Sequence, residues 1–294
     1  MQLSIPAPEP FSLSAVIHSH GWIQLAPFEE HEGGNGFSYA LQLDGGRVVE
    51  LDFSEAEGGI CVESDAPLSQ EEQVEARGKA AWMLGLDADL SRFYALALQE
   101  PKLAHTVEKG LGRILRSATL FEDVVKTILT TNTLWAATIR MNRNLVEQFG
   151  EPAPGNTTRR AFPSPERLAG AAEEVLRGET RLGYRAPYVL GLARQVASGE
   201  LDLERLKTAP LDTPELRRRL LALKGVGPYA AANLLMLLGH YDYIPVDSWA
   251  IKMVSNEWYE GGAVGAAEVE AAFERWGSFK GLAYWLWNWT NPGW

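Results

Sequence analysis

Residues 223–254 read LKGVGPYAAANLLMLLGHYDYIPVDSWAIKMV, and this stretch decides the fold prediction. Gly225, Val226 and Gly227 stand before an apolar run. They predict a tight hairpin that opens a helix, because glycine adopts positive φ and lets another backbone come close. The first N–H groups of such a helix face outward and suit a phosphate. Asp247 precedes a second predicted helix, Ser248–Trp258, so the stretch pairs an anion site with one carboxylate.

The charge of the chain is unevenly distributed. The formal net charge of −11 is unusual for a protein that binds nucleic acid. Residues 1–100 hold 17 acidic and 4 basic residues, whereas the remainder holds 21 acidic and 23 basic ones. Residues 101–160 hold 5 acidic and 9 basic residues. The acidity therefore lies in the N-terminal part, and few, salt-sensitive phosphate contacts are expected from the rest.

Several classes of protein are excluded by composition. The single cysteine, Cys61, rules out an intrachain disulfide and a four-cysteine iron–sulfur cluster. The sequence contains no run of eighteen apolar residues, so no membrane span is predicted. The start, MQLSIPAPEP, lacks the basic and apolar regions of a secretion signal, so a cytoplasmic location is expected, nucleoid-associated in a bacterium. The five histidines show no metal-ligand spacing.

Hydrophobic periodicity predicts a mainly α-helical protein with a small N-terminal antiparallel β-sheet. Alternation over residues 10–64 predicts strands, and a hairpin turn is expected at Asp44-Gly45-Gly46. An exposed loop is predicted for Glu151–Pro165, which is rich in proline, glycine, asparagine and threonine. Helical spacing predicts these helices: 69–84, 120–129, 135–149, 165–176, 186–198, 214–223, 229–238, 248–258 and 266–276.

Three segments carry a resemblance to a known family. They are the glycine hairpin with Asp247, the segment from Gly112-Arg113-Ile114-Leu115-Arg116 to Thr130-Thr131-Asn132, and Leu182-Gly183-Tyr184-Arg185-Ala186. Together they resemble the helix-hairpin-helix/Gly-Pro-Asp superfamily of base-excision DNA glycosylases, in its 3-methyladenine DNA glycosylase II and 8-oxoguanine DNA glycosylase branches. The resemblance covers roughly residues 105–294. It reaches the first hundred residues only through a loose strand pattern, and the alternation there predicts the sheet domain (1–85). The resemblance implies a helical domain ending in the hairpin (86–230), and helices that complete the second helical subdomain and an active-site cleft (231–294).

The resemblance implies a role for Asp247 and for Tyr229. Asp247 stands where the family has its catalytic carboxylate, and its place before a helix also suits an N-cap. A fixed negative charge there stabilises an oxocarbenium-like sugar and can orient water. Tyr229 stands where bifunctional relatives have a lysine that forms a Schiff base. Tyrosine cannot form an imine, so hydrolysis without intrinsic lyase activity is expected.

The resemblance also implies a DNA-binding set and a cation site. Gly225, Val226 and Gly227 would hold the DNA backbone, while Asn132 would enter the duplex in place of the flipped base. Tyr184 and Arg185 match a wedging aromatic and a reader of the orphaned base. Ala137 stands where the 8-oxoguanine branch has a second arginine. The hairpin carbonyls match those that hold a monovalent cation in relatives, namely those of Leu221, Leu223 and Val226.

Aromatic residues are expected to line the pocket for the flipped base. Aromatic side chains at helical spacing usually form core, but their density near the C-terminus also suits stacking on a cationic base. The predicted pocket residues are Tyr229, Trp249, Trp285, Trp287 and Asn288. The expected partner is double-stranded DNA containing a damaged base, bound by a monomer.

The sequence leaves the substrate and two further hypotheses open. An alkylated purine of the 3-methyladenine type is the first choice, and 8-oxoguanine is the alternative within the family. A non-catalytic helix-hairpin-helix DNA-binding protein would have no need of Asp247. A helical interaction protein is the third hypothesis, favoured by the acidic N-terminal part. Binding to DNA at several salt concentrations would separate that hypothesis from the other two.

Overall fold

The computed structural model describes residues 1–287 of the 294-residue chain. These residues form two compact units. The first comprises 1–88 and 109–208, and the second comprises 89–108 and 209–287. Among the described residues, no helix is both long and apolar enough to cross a bilayer.

The first unit contains a five-stranded antiparallel sheet in the order β1-β5-β4-β3-β2. Its strands are β1 Gln2–Pro6, β2 Phe28–Glu30, β3 Gly36–Gln42, β4 Val48–Ala56 and β5 Gly59–Ser64. The predicted hairpin is confirmed: β3 pairs with β4, and the positive φ of 85° at Gly46 closes the turn between them. Phe37 pairs with Phe53, and their stacked rings lie 4.3 Å apart within the core.

Helices dominate the rest of the described chain, as the periodicity predicts. In chain order they are α1 Leu13–Ile17, α2 Gln70–Met83, α3 Ser91–Ala97, α4 His105–Glu108, α5 Leu120–Thr130, α6 Trp135–Phe149, α7 Pro165–Ala169, α8 Glu173–Gly178, α9 Ala186–Ala197, α10 Thr213–Leu221, α11 Pro228–Leu237, α12 Ser248–Trp258, α13 Ala266–Phe273 and α14 Lys280–Leu286. The fold class, mainly α with a small N-terminal antiparallel sheet, is confirmed.

The exposed loop predicted for 151–165 is wrong. This segment forms a second antiparallel hairpin, β6 Pro152–Ala153 with β7 Asn156–Arg160, and Gly155 turns it with φ 77°. Ala153 and Ala161 are buried in a cluster with Ala40 and Val48 of the larger sheet. The turn residues are common to loops and hairpins, and only the packing of the small side chains separates the two cases.

Two predicted helices are shorter than their periodicity suggested. The helix expected over 165–176 is divided into α7 and α8, because Gly170 is the C-cap of the first and Ala172, in an extended conformation, is the N-cap of the second. The helix expected over 266–276 ends at Phe273, and a 3₁₀ segment, Glu274–Phe279, follows it. Gly277 within that segment has φ 54°, which the α-helix cannot accommodate.

Helix α5 is buried on all sides, including its charged residues. Lys126 forms an ion pair with Glu122 at 2.7 Å, and the Tyr39 hydroxyl donates to the same carboxylate at 2.6 Å. Asp123 accepts from the Trp22 indole at 2.8 Å and from the Ser117 N–H at 2.9 Å. Burial is the main cause that raises the pKa of Glu122 and of Asp123. These partners fix α5 to the sheet, and the loop after α5 carries Asn132.

Candidate functional site

The glycine hairpin joins α10 to α11 in the second unit. Gly225 turns the chain with φ 90°, and the Val226 N–H donates to the Leu223 carbonyl at 3.1 Å. Val226 and Leu223 are buried, so they anchor the turn from inside. Gly227 is exposed and extended, with φ −95° and ψ −175°. The predicted hairpin is therefore present, and Gly225 is the glycine that needs positive φ.

The N-terminus of α11 is open. Gly227 occupies the N-cap, where no side chain accepts a hydrogen bond from the first turn. Pro228 is the first helical residue, a position where its missing N–H costs little. A Cβ added at Gly227 would meet no atom within 4 Å, so the fold itself does not demand glycine there. An uncapped helix start with room for close approach is suited to an anion.

The predicted cation site involves carbonyls on the same turn. The carbonyl of Leu223 already accepts one hydrogen bond, from Val226, and a carbonyl oxygen has a second lone pair. The carbonyls of Leu221 and Val226 lie on either side of the Gly225 turn in the sequence. The donor chemistry suits a weakly held monovalent cation. The cation role of these three residues stays a prediction.

Asp247 is an exposed N-cap residue. Its Oδ1 accepts a hydrogen bond from the Ala250 N–H at 2.8 Å, and its own backbone is extended at φ −132° and ψ −172°. The cap predicted for α12 is confirmed. The hydrogen bond fixes one carboxylate oxygen and leaves the other to act on a bound molecule, because a carboxylate has two acceptor oxygens.

Two tyrosines of the second unit lie within the electrostatic reach of Asp247. Burial raises the pKa of Tyr229, and the negative charge of Asp247 raises it further. Burial also raises the pKa of Tyr284 well above its ordinary value, with further contributions from Asp247 and then Tyr229. Both hydroxyls are therefore neutral over an extended pH range. Trp249 is half exposed and packs edge-to-face on Tyr284, with ring centroids 5.8 Å apart.

Tyr284 is the site residue that sequence reasoning missed. From the aromatic run near the C-terminus, the predicted pocket residues are Trp285, Trp287 and Asn288, and Tyr284 is not among them. The ring of Tyr284 is 3% exposed and packs against both Trp249 and Phe273. Tyr284 faces α12, and composition alone does not show which aromatic residue of this helix does so. The structure therefore brings together Asp247, Tyr229, Trp249 and Tyr284.

The packing of Trp287 does not favour the pocket role predicted for it, which stays a prediction. This ring is 5% exposed and lies in an aromatic core, with centroids 5.1 Å from Trp258, 5.2 Å from Trp276 and 5.5 Å from Phe273. Three other rings already contact this side chain, so little of its surface is left for a base. Trp285 is half-buried, and its centroid lies 6.5 Å from that of Tyr284. Asn288 lies outside the described residues.

The loop between α5 and α6 carries Asn132 in the first unit. Asn132 is exposed and has φ 47°, a left-handed conformation that asparagine tolerates better than most residues. The carbonyl of the preceding residue, Thr131, accepts a hydrogen bond from the Tyr184 hydroxyl at 3.2 Å and another from the Arg185 guanidinium. Tyr184 and Arg185 therefore hold the N-terminal end of this loop in place.

Tyr184 and Arg185 differ in exposure. Tyr184 is 46% exposed, as a side chain that touches DNA must be. Arg185 is 6% exposed, and its guanidinium lies 4.4 Å from the Tyr184 ring centroid and donates to Thr131. This placement supports the loop and the tyrosine. It does not support the base-reading role predicted for Arg185, because the donors of its planar fork face the protein.

Known proteins resemble the chain over most of its length. It is 27% identical over 210 residues to the DNA-3-methyladenine glycosylase of Bacillus subtilis, covering 69% of this chain and 68% of the relative. A solved structure of MBOgg1 in complex with a low affinity DNA ligand superposes with a TM-score of 0.74 at 25% identity, covering 98% of this chain and 94% of the other. The 3-methyladenine DNA-glycosylase from Archaeoglobus fulgidus shares the fold, with a TM-score of 0.77 at 22% identity and 97% coverage of both chains.

The family assignment rests on a longer match than any single motif. Residues 125–278 match the HhH-GPD superfamily of base excision DNA repair proteins, which is more than half of the chain. The match spans the Asn132 loop, the Tyr184 segment, the glycine hairpin and Asp247. The chain belongs to the HhH-GPD superfamily of base excision DNA repair proteins.

Proposed function

We propose that this chain is a monofunctional DNA glycosylase, which hydrolyses the N-glycosidic bond of a flipped, alkylated purine of the 3-methyladenine type. The observation that carries the proposal is the pair formed by Asp247 and Tyr229. Asp247 is an exposed carboxylate that a hydrogen bond fixes in position. The side chain of α11 whose pKa its charge raises is the phenol of Tyr229 rather than an amine.

The glycine hairpin provides the grip on DNA. A phosphate of the backbone is bound at the open start of α11, where Gly227 leaves room and the helix dipole favours an anion. Backbone contacts of this kind position the duplex without reading its sequence. The Asn132 loop fills the space left by the extruded base, and the base enters the aromatic site.

Asp247 provides the chemistry. As the C–N bond breaks, positive charge develops on the sugar, and a carboxylate held at a fixed position stabilises it. The Ala250 N–H holds Oδ1, so the carboxylate needs no reorganisation during the reaction. The second oxygen orients the attacking water as a general base. The products are a free base and an intact abasic site.

Tyr229 accounts for the absence of strand cleavage in this proposal. A lyase reaction proceeds through an imine between an amine and the opened sugar, and a phenol cannot form one. The raised pKa of Tyr229 also keeps its hydroxyl neutral, so it is a poor nucleophile at physiological pH. Water is then the nucleophile that remains.

Neutral aromatic faces around one carboxylate favour a cationic base. Tyr229 and Trp249 are 38% and 50% exposed and are free to stack, while Tyr284 supports Trp249 from below. A base alkylated at a ring nitrogen carries positive charge, which strengthens stacking on π-faces. It is also a good leaving group, so the site need not supply a general acid. The identity to the Bacillus subtilis DNA-3-methyladenine glycosylase supports the same substrate class.

An 8-oxoguanine glycosylase is the second candidate. The Leu182-Gly183-Tyr184-Arg185-Ala186 segment favours it, because this segment resembles that branch. Two observations disfavour the 8-oxoguanine candidate. Ala137 stands where that branch has a second arginine, and Arg185 is buried. Reading an opposite cytosine needs exposed donors, and Arg185 directs its guanidinium to Thr131.

Single-turnover excision on matched duplexes tests the proposal. One duplex set carries 3-methyladenine or 7-methylguanine and another carries 8-oxoguanine opposite each normal base. We expect faster release of the alkylated bases, an intact abasic product and no covalent complex after borohydride treatment. Cytosine-dependent release of 8-oxoguanine alone would promote the second candidate, and efficient borohydride trapping would contradict the monofunctional mechanism.

A further inference from the structure

The connection between α11 and α12 runs through residues 240–246 and ends at Asp247. These described residues form neither helix nor strand. Within the connection, the Val246 N–H donates to the Ile244 carbonyl at 2.9 Å. A segment without regular structure needs partners from neighbouring elements to hold a fixed course. The position of Asp247 therefore depends on what holds the connection 240–246.

Helix α10 holds the connection through the side chain of Thr213. The Thr213 hydroxyl donates to Asp242 Oδ2 at 2.7 Å, and the same oxygen lies 2.9 Å from His240 Nδ1. A hydroxyl has one proton. Because that proton goes to the carboxylate, His240 Nδ1 carries its own proton and donates it to the hydroxyl oxygen. One side chain of α10 thus fixes two residues of the connection.

Arg217 adds a second contact from the same helix. It follows Thr213 by four residues, so the two side chains lie on one face of α10. The Arg217 guanidinium lies 4.8 Å from the centroid of the Tyr243 ring, a cation–π contact. This face of α10 therefore contacts the connection at residues 240, 242 and 243.

The backbone of the connection takes its partners from α13 and α14. The Gly281 N–H donates to the Tyr241 carbonyl at 2.7 Å. A Cβ added at Gly281 would lie 2.5 Å from the Tyr243 carbonyl oxygen, so glycine allows α14 to touch this backbone directly. The Ile244 N–H donates to Glu270 Oε1 at 3.5 Å. The connection is thus held from three helices, and α10 supplies the side-chain contacts.

We propose that Thr213 is a positioning residue, which places the carboxylate of Asp247 relative to the glycine hairpin by holding the connection 240–246. Helix α10 begins at Thr213 and ends at Leu221, just before the hairpin. The helix is nine residues long, which corresponds to about 13 Å. One short helix therefore carries the hairpin at its C-terminus and holds the approach to Asp247 at its N-terminus. The inference rests on the proposed glycosylase function, and not on which base is removed.

A fixed distance between the two groups has a chemical reason. The hairpin holds a phosphate and Asp247 acts on a sugar of the same DNA, so an error in their separation misplaces the carboxylate in the transition state. A displacement of about 1 Å can cost as much as 10²-fold in rate. Thr213 acts through the connection and not on the hairpin, so the rate of excision should depend on it while DNA affinity should not.

The test compares variants that remove one partner of the contact at a time. Thr213→Val removes the hydroxyl and keeps the shape of the side chain, Thr213→Ser keeps the hydroxyl, and Asp242→Ala removes its acceptor. Thr158→Val is the matched control, because it removes a hydroxyl that donates to Asn156 Oδ1 at 2.7 Å in the first unit. Single-turnover excision from a duplex containing 7-methylguanine gives the maximal rate constant and the half-saturating concentration of each protein.

A second measurement needs no substrate. Hydrogen exchange of the Ala250 amide reports its hydrogen bond to Asp247 Oδ1, so it detects a carboxylate that is no longer fixed. Melting temperatures recorded alongside separate a local release of the connection from a loss of the whole fold.

We expect Thr213→Val and Asp242→Ala each to lower the maximal rate constant about tenfold and to leave the half-saturating concentration within about twofold of the wild-type value. The Ala250 amide should exchange about fivefold faster in both variants. The double variant should be no slower than either single variant, because both changes remove the same hydrogen bond. Thr213→Ser and Thr158→Val should behave as the wild type.

A normal maximal rate constant in Thr213→Val would overturn the positioning role. An equal loss in Thr213→Ser would overturn it as well, since the hydroxyl would then not be the cause. If the wild-type protein released no base from any duplex, the proposed function would fail, and the exchange of the Ala250 amide would decide the positioning role by itself. Unchanged exchange in Thr213→Val would then overturn it, and faster exchange would support it.

Discussion

The N-termini of α11 and α12, both in the second unit, have similar backbone conformations but different chemistry. Both begin after an extended residue, Gly227 in one case and Asp247 in the other. At α12 the carboxylate of Asp247 accepts the Ala250 N–H, so the chain supplies its own anion. At α11 no side chain caps the first turn, and the space beside Gly227 is empty. One helix start is thus suited to bind an external anion, and the other fixes a negative charge where a sugar cation can form.

The largest effect is expected when the charge at α12 is removed and the cap is kept. Asn is as good a cap as Asp, so Asp247→Asn should preserve the fold. Excision should fall by about 10²-fold or more, because only the transition state needs the charge. Single-turnover rates and melting curves check both statements. The matched control is Asp212→Asn, since Asp212 caps α10 in the same way through the Glu215 N–H at 2.9 Å. Equal losses for both variants would refute a special role for Asp247.

The next effect is expected from closing the space at α11. Gly227→Ala adds a Cβ that touches nothing in the protein, so the expected loss of stability is only that of replacing glycine by alanine at an N-cap, about 1 kcal/mol or less. A phosphate would be kept from the helix start, and DNA binding should weaken about tenfold, the value of one charge-assisted hydrogen bond. Fluorescence anisotropy with undamaged duplex measures the change. Gly191→Ala, which also adds a Cβ in open space, is the control and should bind normally. Unchanged affinity for Gly227→Ala would contradict the anion site.

A smaller effect is expected on stability. Asp247→Ala removes both the charge and the cap, whereas Asp247→Asn removes only the charge. The alanine variant should therefore be about 1 kcal/mol less stable to urea than the asparagine variant. Both should show the same loss of excision. If the two variants were equally stable, the hydrogen bond from Ala250 would not contribute to the fold.

The smallest effect concerns the tyrosines near the charge. Asp247 raises the pKa of Tyr229 and of Tyr284, in each case after burial. A negative charge disfavours the phenolate, so its removal in Asp247→Asn should lower both pKa values. NMR titration of ¹³C-labelled tyrosine measures the shift of Tyr229, which is the more accessible ring. The Asp212→Asn protein should titrate as the wild type does. An unchanged Tyr229 pKa in Asp247→Asn would contradict the influence of this carboxylate on the tyrosine.

The sequence predicted the elements whose signals are local. The Gly225-Val226-Gly227 hairpin, the helix starting after Asp247 and the Asp44-Gly45-Gly46 turn are all present, because each depends on a few adjacent residues. The 151–165 segment could not be predicted correctly, since Ala153 and Ala161 are buried only by residues of the distant sheet. The charges of α5 were missed for the same reason, because Glu122 and Asp123 take partners from Tyr39 and Trp22.

The candidate site was predicted in part, for a related reason. Asp247, Tyr229 and Trp249 lie near one another in sequence, and the structure brings them together. Tyr284 joins them and Trp287 does not, although both belong to one aromatic run. They lie three residues apart, and their environments are set by Trp249 in one case and by Trp258 with Trp276 in the other. Periodicity alone does not identify those neighbours.

A single-turnover titration tests the division of labour between the two helix starts most directly. The excision rate is measured over a range of protein concentrations for Asp247→Asn and Gly227→Ala, and each curve yields a maximal rate constant and a half-saturating concentration. Asp247→Asn should lose the maximal rate constant and keep the half-saturating concentration, while Gly227→Ala should do the reverse. If Gly227→Ala lost mainly the maximal rate constant, or Asp247→Asn mainly the affinity, the two helix starts would not have separate functions.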